Sequence, residues 1–285
     1  MFAAKWGNID FNMKLLYFFS MKKLFKIILF CSLTMTVYLG TLYFAQNNLL
    51  FFPDKKYKSP ADVAISGFSE MTLKASDGVN ITAWYHQGNK DKPAILFLHG
   101  NAGQVATFAP SLLPITDAGY AVLMMEYRGF GKTQGKISQK TVVQDAALAF
   151  DWLKDKGYSK IVISGYSFGT AFSCALTEMR SADGLILTAP FSSLVKIVSE
   201  KPVPLARWVL KDNYMSVDYL KKYKAPLLIV HGKKDKLIPY HHAQILFNNA
   251  ASQEKQIKLL EDETHTSIFF EKKNVPYILE FLKSF

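Results

Sequence analysis

The chain has 285 residues, of which 49% are hydrophobic and 20% charged, and this composition excludes a disordered or low-complexity protein. Its two cysteines, Cys31 and Cys174, exclude a disulfide-stapled scaffold and a cysteine-rich zinc site. The formal net charge of +11 is compatible with a nucleic-acid partner or with an anionic membrane surface.

The first element is a long apolar run near the N-terminus. Ile27–Ala45 contains 19 uncharged residues, and about 20 helical residues cross the hydrocarbon core of a bilayer. Three lysines precede the run, at positions 22, 23 and 26, and Tyr38 and Tyr43 lie near its far end, where interfacial aromatic residues are common. The run therefore predicts a transmembrane helix.

Three alternatives compete with an uncleaved signal anchor. Signal-peptide cleavage after Ala45 would place the large Tyr43 at the −3 position, where a small residue is needed. A lipid-modified cysteine at Cys31 would follow the bulky Phe30 and would lie deep in the run. A buried core helix is the third alternative, and the lack of a polar face argues against it.

The predicted organisation is an N-terminal extension over residues 1–23, a signal anchor over 24–46 and one domain over 52–285. Lysines lie at positions 14, 22, 23 and 26 on the N-terminal side of the apolar run, against those at positions 55, 56 and 58 that follow it. This balance favours a single-pass protein whose domain lies on the non-cytoplasmic side. Residues 1–45 carry five of the 34 basic and one of the 23 acidic residues, so the net charge divides into +4 and +7. Because the domain's lysines are scattered, we expect membrane lipid and no nucleic acid as a partner.

From residue 52 onward, short apolar runs alternate with amphipathic stretches. Met71–Leu73 and Val79–Tyr85 flank Ser76-Asp77-Gly78 and predict a hairpin, whereas Thr141–Lys156 has helical spacing. The other predicted strands are Pro93–Leu98, Ala121–Tyr127, Ile161–Ser164, Gly184–Thr188, Ala225–His231 and Ile257–Leu260. The alternation predicts an α/β fold with a mostly parallel sheet covered on both faces. Residues 192–224 interrupt it and predict a small helical lid.

A catalytic motif follows one of these strands. Ile161–Ser164 leads into Gly165-Tyr166-Ser167-Phe168-Gly169, a G-x-S-x-G pattern between a strand and the predicted helix Thr170–Met179. The pattern places a nucleophile on a sharp, strained turn, where Gly165 and Gly169 lack the Cβ atoms that would clash. The helix also directs its N-terminal dipole at the site. The sequence predicts Ser167 as the nucleophile.

A serine nucleophile needs a base and an orienting acid, in the chain order Ser, Asp or Glu, then His. Asp235 follows the strand Ala225–His231, and His265 follows the strand Ile257–Leu260. The sequence therefore predicts Asp235 and His265 as the partners of Ser167. Asp218 in the predicted lid and Asp262 beside the histidine are alternatives to Asp235.

The remaining histidines receive other interpretations. His86 lies in the hairpin, His231 ends a strand too early to be the base, and His241 and His242 are expected at the surface. No cluster of His, Asp and Glu has metal-ligand spacing, so neither a metal nor a cofactor is expected. The run from Arg128 to Thr133 has Glu126 where a phosphate loop has its first glycine, which excludes nucleotide binding.

The predicted oxyanion hole needs two backbone N–H groups. One belongs to Phe168, which follows the nucleophile. The other belongs to Asn101, in the loop His99-Gly100-Asn101-Ala102-Gly103 after the strand Pro93–Leu98. His99, Gly100 and Gly103 are predicted to support this loop, because small residues permit close approach of the backbone.

On these motifs the chain, from about residue 50 to its end, resembles the α/β-hydrolase superfamily. HGNAG, EYRGFGKTQG, GYSFG, GKKD and the late His265 look like the membrane-anchored, serine aminopeptidase-like branch. That branch includes eukaryotic relatives that remove acyl groups from proteins. The resemblance implies an eight-stranded sheet, a lid and the roles given above. One departure is Glu261-Asp262-Glu263-Thr264-His265, where relatives usually carry glycines before the histidine.

The predicted activity is serine hydrolysis of ester or thioester bonds through an acyl-enzyme intermediate. The anchor and the aromatic lid indicate an acyl-lipid, a small molecule or an acylated substrate. An amidase or peptidase of the same fold is the first alternative. A non-catalytic, membrane-tethered binding protein on a hydrolase scaffold is the second.

Overall fold

The N-terminal part of the chain is one long helix, α1 (Ala3–Leu50). The computed structural model describes the backbone of residues 3–285 and the side chains of residues 20–285, so part of the predicted extension 1–23 lies outside the described residues. The stretch Ser20–Leu50 is long and apolar enough to cross a membrane. Within it, the hydroxyls of Thr34, Thr36 and Thr41 donate to carbonyl oxygens four residues earlier, which satisfies these polar groups inside an apolar run.

The domain is built on an eight-stranded sheet with the strand order β10-β9-β8-β7-β4-β6-β3-β2. Its strands are β2 (Phe68–Lys74), β3 (Asn80–His86), β4 (Ala94–Leu98), β6 (Ala121–Met125), β7 (Ile161–Tyr166), β8 (Gly184–Thr188), β9 (Leu227–Gly232) and β10 (Lys255–Leu260). The pairs β2–β3 and β3–β6 are antiparallel, and the other neighbours are parallel. The predicted α/β class and the edge hairpin are confirmed.

The helices of the domain pack on both faces of this sheet. They are α2 (Val105–Asp117), α3 (Gln139–Asp155), α4 (Phe168–Leu176), α5 (Leu194–Ser199), α6 (Ser216–Leu220), α7 (His241–Asn249), α8 (Ser267–Phe270) and α9 (Val275–Leu282), with 3₁₀ turns at Ala61–Val63, Ala206–Trp208 and Lys272–Asn274. The helix predicted over 141–156 is confirmed as α3. Its start is fixed by a capping box, in which Ser138 Oγ accepts the N–H of Thr141.

The central strands are apolar throughout because both faces of the sheet are covered. In β4, Leu96 and Leu98 belong to one hydrophobic cluster, and Ile95 and Phe97 belong to the cluster on the opposite face. Successive side chains of a strand point to opposite faces, so a strand that is buried on both sides reads as a continuous apolar run. This is why the strand predictions depend on unbroken apolar runs rather than on alternation.

A second, two-stranded sheet was not predicted. It pairs β1 (Phe52–Pro53), directly after α1, with β5 (Ala102–Gly103), in the loop after β4. The parallel strands β4, β7, β9 and β10 end at the same edge of the main sheet. Loops that follow those strands therefore meet there, together with the chain that leaves α1.

Candidate active site

Ser167 occupies a strained turn between β7 and α4. Its φ is 53° and its ψ is −119°, a region that residues with a side chain rarely adopt. A Cβ on Gly165 would lie 2.5 Å from Ser173 Oγ, and a Cβ on Gly169 would lie 2.6 Å from the carbonyl oxygen of His99. Both contacts are shorter than real Cβ contacts, so the turn needs glycine at both positions.

The structure brings Ser167, His265 and Asp235 together in one hydrogen-bonded chain. His265 Nε2 lies 2.9 Å from Ser167 Oγ, and His265 Nδ1 lies 2.7 Å from Asp235 Oδ2. The alternative acids are elsewhere: Asp218 and Asp262 are exposed and form surface ion pairs with lysines. Of the three candidates, Asp235 is the one whose carboxylate contacts the histidine.

The carboxylate of Asp235 is held in its ionised form. Its Oδ1 accepts the backbone N–H groups of Leu237 and Ile238 at 2.9 and 2.8 Å, and its Oδ2 also lies 3.3 Å from His231 Nε2. Burial raises the pKa of Asp235, but the hydrogen bonds from His231 and His265 outweigh it and hold that pKa well below its usual range.

His231 is a supporting residue that the sequence analysis missed. The structure places it near the end of β9, fully buried against Asp235. Its Nε2 also lies 2.9 Å from the carbonyl oxygen of Ile238, so the proton on this nitrogen is shared between two acceptors. The available signal was a histidine that ends an apolar strand four residues before the acid.

Asn101 lies in the loop that follows β4. Phe168 follows Ser167 directly, after the end of β7. Among the described residues, no acceptor is bonded to the backbone N–H of either residue. Gly100 packs close to the nucleophile turn, since a Cβ there would lie 3.3 Å from the ring of Tyr166. Gly103 has a φ of +84°, which favours glycine. Two free N–H groups at these positions are what a tetrahedral oxyanion requires.

The chain leaving α1 holds the predicted oxyanion loop, residues 99–103. Asn101 Nδ2 donates to the carbonyl oxygen of Leu50 at 2.6 Å, and the N–H of Phe52 donates to the carbonyl oxygen of Asn101 at 2.8 Å. The N–H of Asp54 donates to the carbonyl oxygen of Gly103 at 3.0 Å. The loop is therefore fastened from both ends to the residues that follow the predicted anchor.

An aromatic cluster surrounds Phe168, the residue after the nucleophile. Its ring lies 4.9 Å from Phe51, 5.2 Å from Phe191 and 5.2 Å from Tyr214. Phe51 comes from the chain after α1, and Tyr214 comes from the predicted lid. Ser167 itself is only 3% exposed.

His99 and Glu126 form a buried pair behind the oxyanion loop. His99 Nδ1 lies 2.7 Å from the carbonyl oxygen of Gly100, while its Nε2 and Glu126 Oε2 face each other at 3.7 Å without another partner. Glu126 Oε1 accepts the N–H of Val105. Burial raises the pKa of Glu126 to about 8 and lowers that of His99 to about 4. Both groups are therefore uncharged at neutral pH.

The burial of Glu126 was not predicted, although its position in the sequence indicates it. Glu126 comes directly after β6, whose five residues are all apolar and buried. A carboxylic acid in that position must be buried with the strand, and burial without a cation favours its protonated form.

One group with metal-ligand spacing exists among the described side chains, away from the triad. The ligand atoms of Glu200, His241 and His242 lie within 4.8 Å of one another. Hydrogen bonds already satisfy this group: both histidine Nε2 atoms lie 3.1 Å from the Glu200 carboxylate, and Ser192 Oγ lies 2.8 Å from His242 Nδ1.

The expectation that His242 lies at the surface is wrong, whereas His241 is half-buried. His242 is fully buried because Ser192 and Glu200 of the predicted lid segment close over its ring. Burial lowers the pKa of His242 to about 4.

Comparisons with known proteins agree with this architecture. The family model described as "Serine aminopeptidase, S33" matches residues 89–219 and 215–273, which is more than half of the chain. Rv2307c of Mycobacterium tuberculosis, an uncharacterized protein, is 29% identical over 219 residues, which cover 74% of this chain and 78% of that protein. The lysophosphatidylserine lipase ABHD12 of Rattus norvegicus is 28% identical over 235 residues, which cover 68% of this chain and 59% of the lipase.

A solved structure supports the same fold. The esterase Pf2001 of Pyrococcus furiosus superposes with a TM-score of 0.67 at 21% identity, covering 82% of this chain and 99% of the esterase. A likeness at this identity concerns the fold alone. It agrees with the α/β fold described above.

Proposed function

The chain belongs to the serine aminopeptidase S33 family of α/β hydrolases, and on that premise we propose that it is a membrane-anchored serine hydrolase that cleaves ester or thioester bonds. The observation that carries the proposal is the 2.9 Å contact between His265 Nε2 and Ser167 Oγ. It joins a serine on a strained turn to a histidine whose other nitrogen is bound by a carboxylate, which is the arrangement that activates a hydroxyl group.

The proposed reaction has two halves. In the first, His265 takes the proton of Ser167 as Oγ attacks the acyl carbonyl, and the N–H groups of Asn101 and Phe168 bind the oxyanion. His265 then gives the proton to the leaving alcohol or thiol, and an acyl-enzyme remains. In the second half, His265 activates a water that releases the acid and restores Ser167.

Asp235 orients His265 throughout the proposed cycle. Its Oδ2 accepts the Nδ1 proton at 2.7 Å, which leaves Nε2 free to accept the proton of Ser167. The hydrogen bonds that keep this carboxylate ionised also stabilise the imidazolium that forms in each half-reaction. No cofactor has a place in this proposal.

The surroundings of the nucleophile favour a substrate with an apolar acyl group. The rings of Phe51, Phe191 and Tyr214 pack around Phe168, so the residue after Ser167 lies in an apolar environment. A relative with 28% identity is named a lysophosphatidylserine lipase, which agrees with an acyl-lipid substrate. We therefore propose an acylated lipid, or another acylated molecule, as the substrate.

A peptidase is the second candidate, and one observation favours it: the matching family model is named for a serine aminopeptidase. The same triad can attack an amide, but the leaving amine must then receive the proton of His265. An alternative without catalysis, a tethered binding protein on this scaffold, gives no reason for the strained Ser167 and its hydrogen-bonded partners.

A substrate panel tests these candidates. The full chain in detergent is assayed with p-nitrophenyl esters, acyl-thioesters and aminoacyl amides, and Ser167→Ala is the matched control. Turnover of esters or thioesters by the wild type but not by the variant is expected. Turnover of aminoacyl amides alone would favour the peptidase, and equal rates for both proteins would contradict the nucleophile assignment.

The anchor is a separate part of the proposal. We propose that α1 spans the membrane once over about residues 24–46 and that the domain lies on the non-cytoplasmic side. The apolar stretch of α1 and the three lysines before it support this. Carbonate extraction of membranes tests it, because a protein released into the supernatant would contradict a spanning helix.

A further inference from the structure

The predicted lid has an exposed apolar tip, which we define as residues 202–208. Val203, Leu205 and Trp208 in this tip are 40%, 45% and 71% exposed. Beyond residue 50, seven large hydrophobic side chains are exposed, and three of them lie in this short tip. Such clustering of exposed apolar side chains marks an interaction surface.

The backbone of the lid tip is strained at the same place. Leu205 has a φ of 57°, in the left-handed region that a leucine rarely adopts, and it caps the 3₁₀ turn Ala206–Trp208. Strain of this kind persists only where the surrounding structure holds it. A water-exposed loop gains nothing from it, since half of the leucine side chain remains uncovered.

Hydrogen bonds place the lid tip alongside α1. Tyr38 Oη donates to the carbonyl oxygen of Pro204 at 3.0 Å. Gln46 of α1 binds the segment that follows the lid tip. Its Nε2 donates to Val209 O at 3.2 Å, and its Oε1 accepts the N–H of Lys211 at 2.9 Å. Tyr38 and Gln46 are eight residues apart, which is about 12 Å along a helix.

This contact sets the depth of the lid tip relative to the anchor. Tyr38 lies inside the uncharged run Ile27–Ala45, and Gln46 is the first polar residue after that run. A run of 19 residues spans about 30 Å, the thickness of the hydrocarbon core. With α1 across a bilayer, Pro204 lies beside Tyr38, about 10 Å below the end of the run, at the depth of the acyl chains and their boundary with the headgroups.

The charges in and beside the lid tip agree with a position at the membrane surface. Residues 201–211 contain Lys201, Arg207 and Lys211 and no acidic residue. The guanidinium of Arg207 lies 5.0 Å from the ring of Trp208. An arginine side chain can lie along apolar groups while its charged end reaches the headgroups. Apolar side chains beside cations are typical of segments that lie in the interface of a membrane with anionic lipids.

We propose that the lid tip inserts into the bilayer that holds α1, with Val203, Leu205 and Trp208 among the acyl chains and Arg207 at anionic headgroups. This inference rests on the proposed membrane anchor and deepens the proposed function, because the same lid carries Tyr214, which packs against Phe168 beside the nucleophile. The lid then links the bilayer to the catalytic serine, and the substrate enters from the acyl-chain region.

Tryptophan fluorescence of the full chain in proteoliposomes tests the inserted tip. The vesicles contain phosphatidylcholine and phosphatidylglycerol, with or without bromine on the acyl chains as a quencher. The emission of Trp208 is obtained as the difference between the wild type and Trp208→Phe. Trp152→Phe is the matched control, because Trp152 lies in α3 and packs on Tyr85 of β3, outside the lid tip.

Brominated lipid is expected to quench the Trp208 emission several-fold more than the Trp152 emission, and acrylamide in the water is expected to have little effect on Trp208. The inference is overturned if Trp208 is quenched by acrylamide and responds to brominated lipid no more than Trp152 does. The same proteoliposomes are extracted with carbonate and assayed with p-nitrophenyl acetate. Retention and turnover preserve the anchor and the hydrolase, so a water-exposed Trp208 then overturns the lid insertion alone.

Discussion

The hydrogen bond from Asn101 Nδ2 to Leu50 O is the contact through which the end of α1 reaches the oxyanion loop. Asn101→Ala removes this 2.6 Å bond and keeps the backbone N–H that is proposed to bind the oxyanion. The bonds to Phe52 and Asp54 also remain. The substitution therefore tests positioning of the loop rather than loss of the donor itself.

The expected size of the effect follows from two limits. A net intramolecular hydrogen bond is worth about 0.5–1.5 kcal/mol, whereas removal of an oxyanion donor costs about 10²–10³ in kcat. If the Asn101 side chain holds the donor in place, part of its bond energy is lost in the transition state, and kcat falls by roughly 3- to 10-fold. KM is expected to change little, since the N–H binds the oxyanion and not the ground-state substrate.

The matched control is Asn47→Ala. Asn47 Nδ2 also joins α1 to the domain, by donating to Ile137 O at 3.0 Å, but it does not contact the oxyanion loop. Steady-state kinetics with a p-nitrophenyl ester and thermal unfolding in detergent are measured for both variants. Both are expected to lose similar stability, and only Asn101→Ala is expected to lose kcat. Equal kcat values for the two variants would refute the positioning role.

Two further predictions follow from the carboxylates. Asp235→Asn is expected to lower kcat by about 10³–10⁴-fold, because it removes the group that orients the histidine. Asp262→Asn, at an exposed ion pair, is the control and is expected to leave kcat within about twofold. Similar losses in the two variants would leave Asp235 without its assigned role. Glu126→Gln is expected to gain stability relative to the wild type as the pH rises. The folded pKa of Glu126, about 8, exceeds the ordinary value of 4.5, so the contribution of this group to stability is complete below pH 4.5 and is lost as the pH rises through about 8. Melting temperatures in detergent between pH 5 and pH 8.5 measure this, and a constant difference between the two proteins would contradict a buried, protonated Glu126.

The nucleophile turn could be predicted because local sequence determines it. Gly165 and Gly169 are required by contacts within a few residues and with the neighbouring strand end, and the G-x-S-x-G pattern records both. The order of Ser167, Asp235 and His265 was predictable for a related reason. Each follows a parallel strand, and parallel strands end at one edge of the sheet.

The features that escaped prediction depend on contacts between distant parts of the chain. The pairing of β1 with β5 joins residues about 50 positions apart through two-residue strands, which leave no periodic signal. The burial of His242 depends on Glu200 and Ser192, which approach it only when the lid segment folds over α7. Helix α2 was not predicted for a local reason instead, since Pro110 and Pro114 inside it oppose a helical prediction.

The most direct measurement of the central claim is the reaction of the detergent-solubilised full chain with a fluorophosphonate probe, followed by identification of the modified peptide by mass spectrometry. The probe is expected to react at Ser167 and nowhere else, and Ser167→Ala is expected to remain unlabelled. His265→Ala is expected to react far more slowly, because the hydroxyl then lacks the base that lies 2.9 Å away. A folded wild-type protein that stays unlabelled, or a Ser167→Ala variant that is labelled at the wild-type rate, would contradict the proposed serine hydrolase.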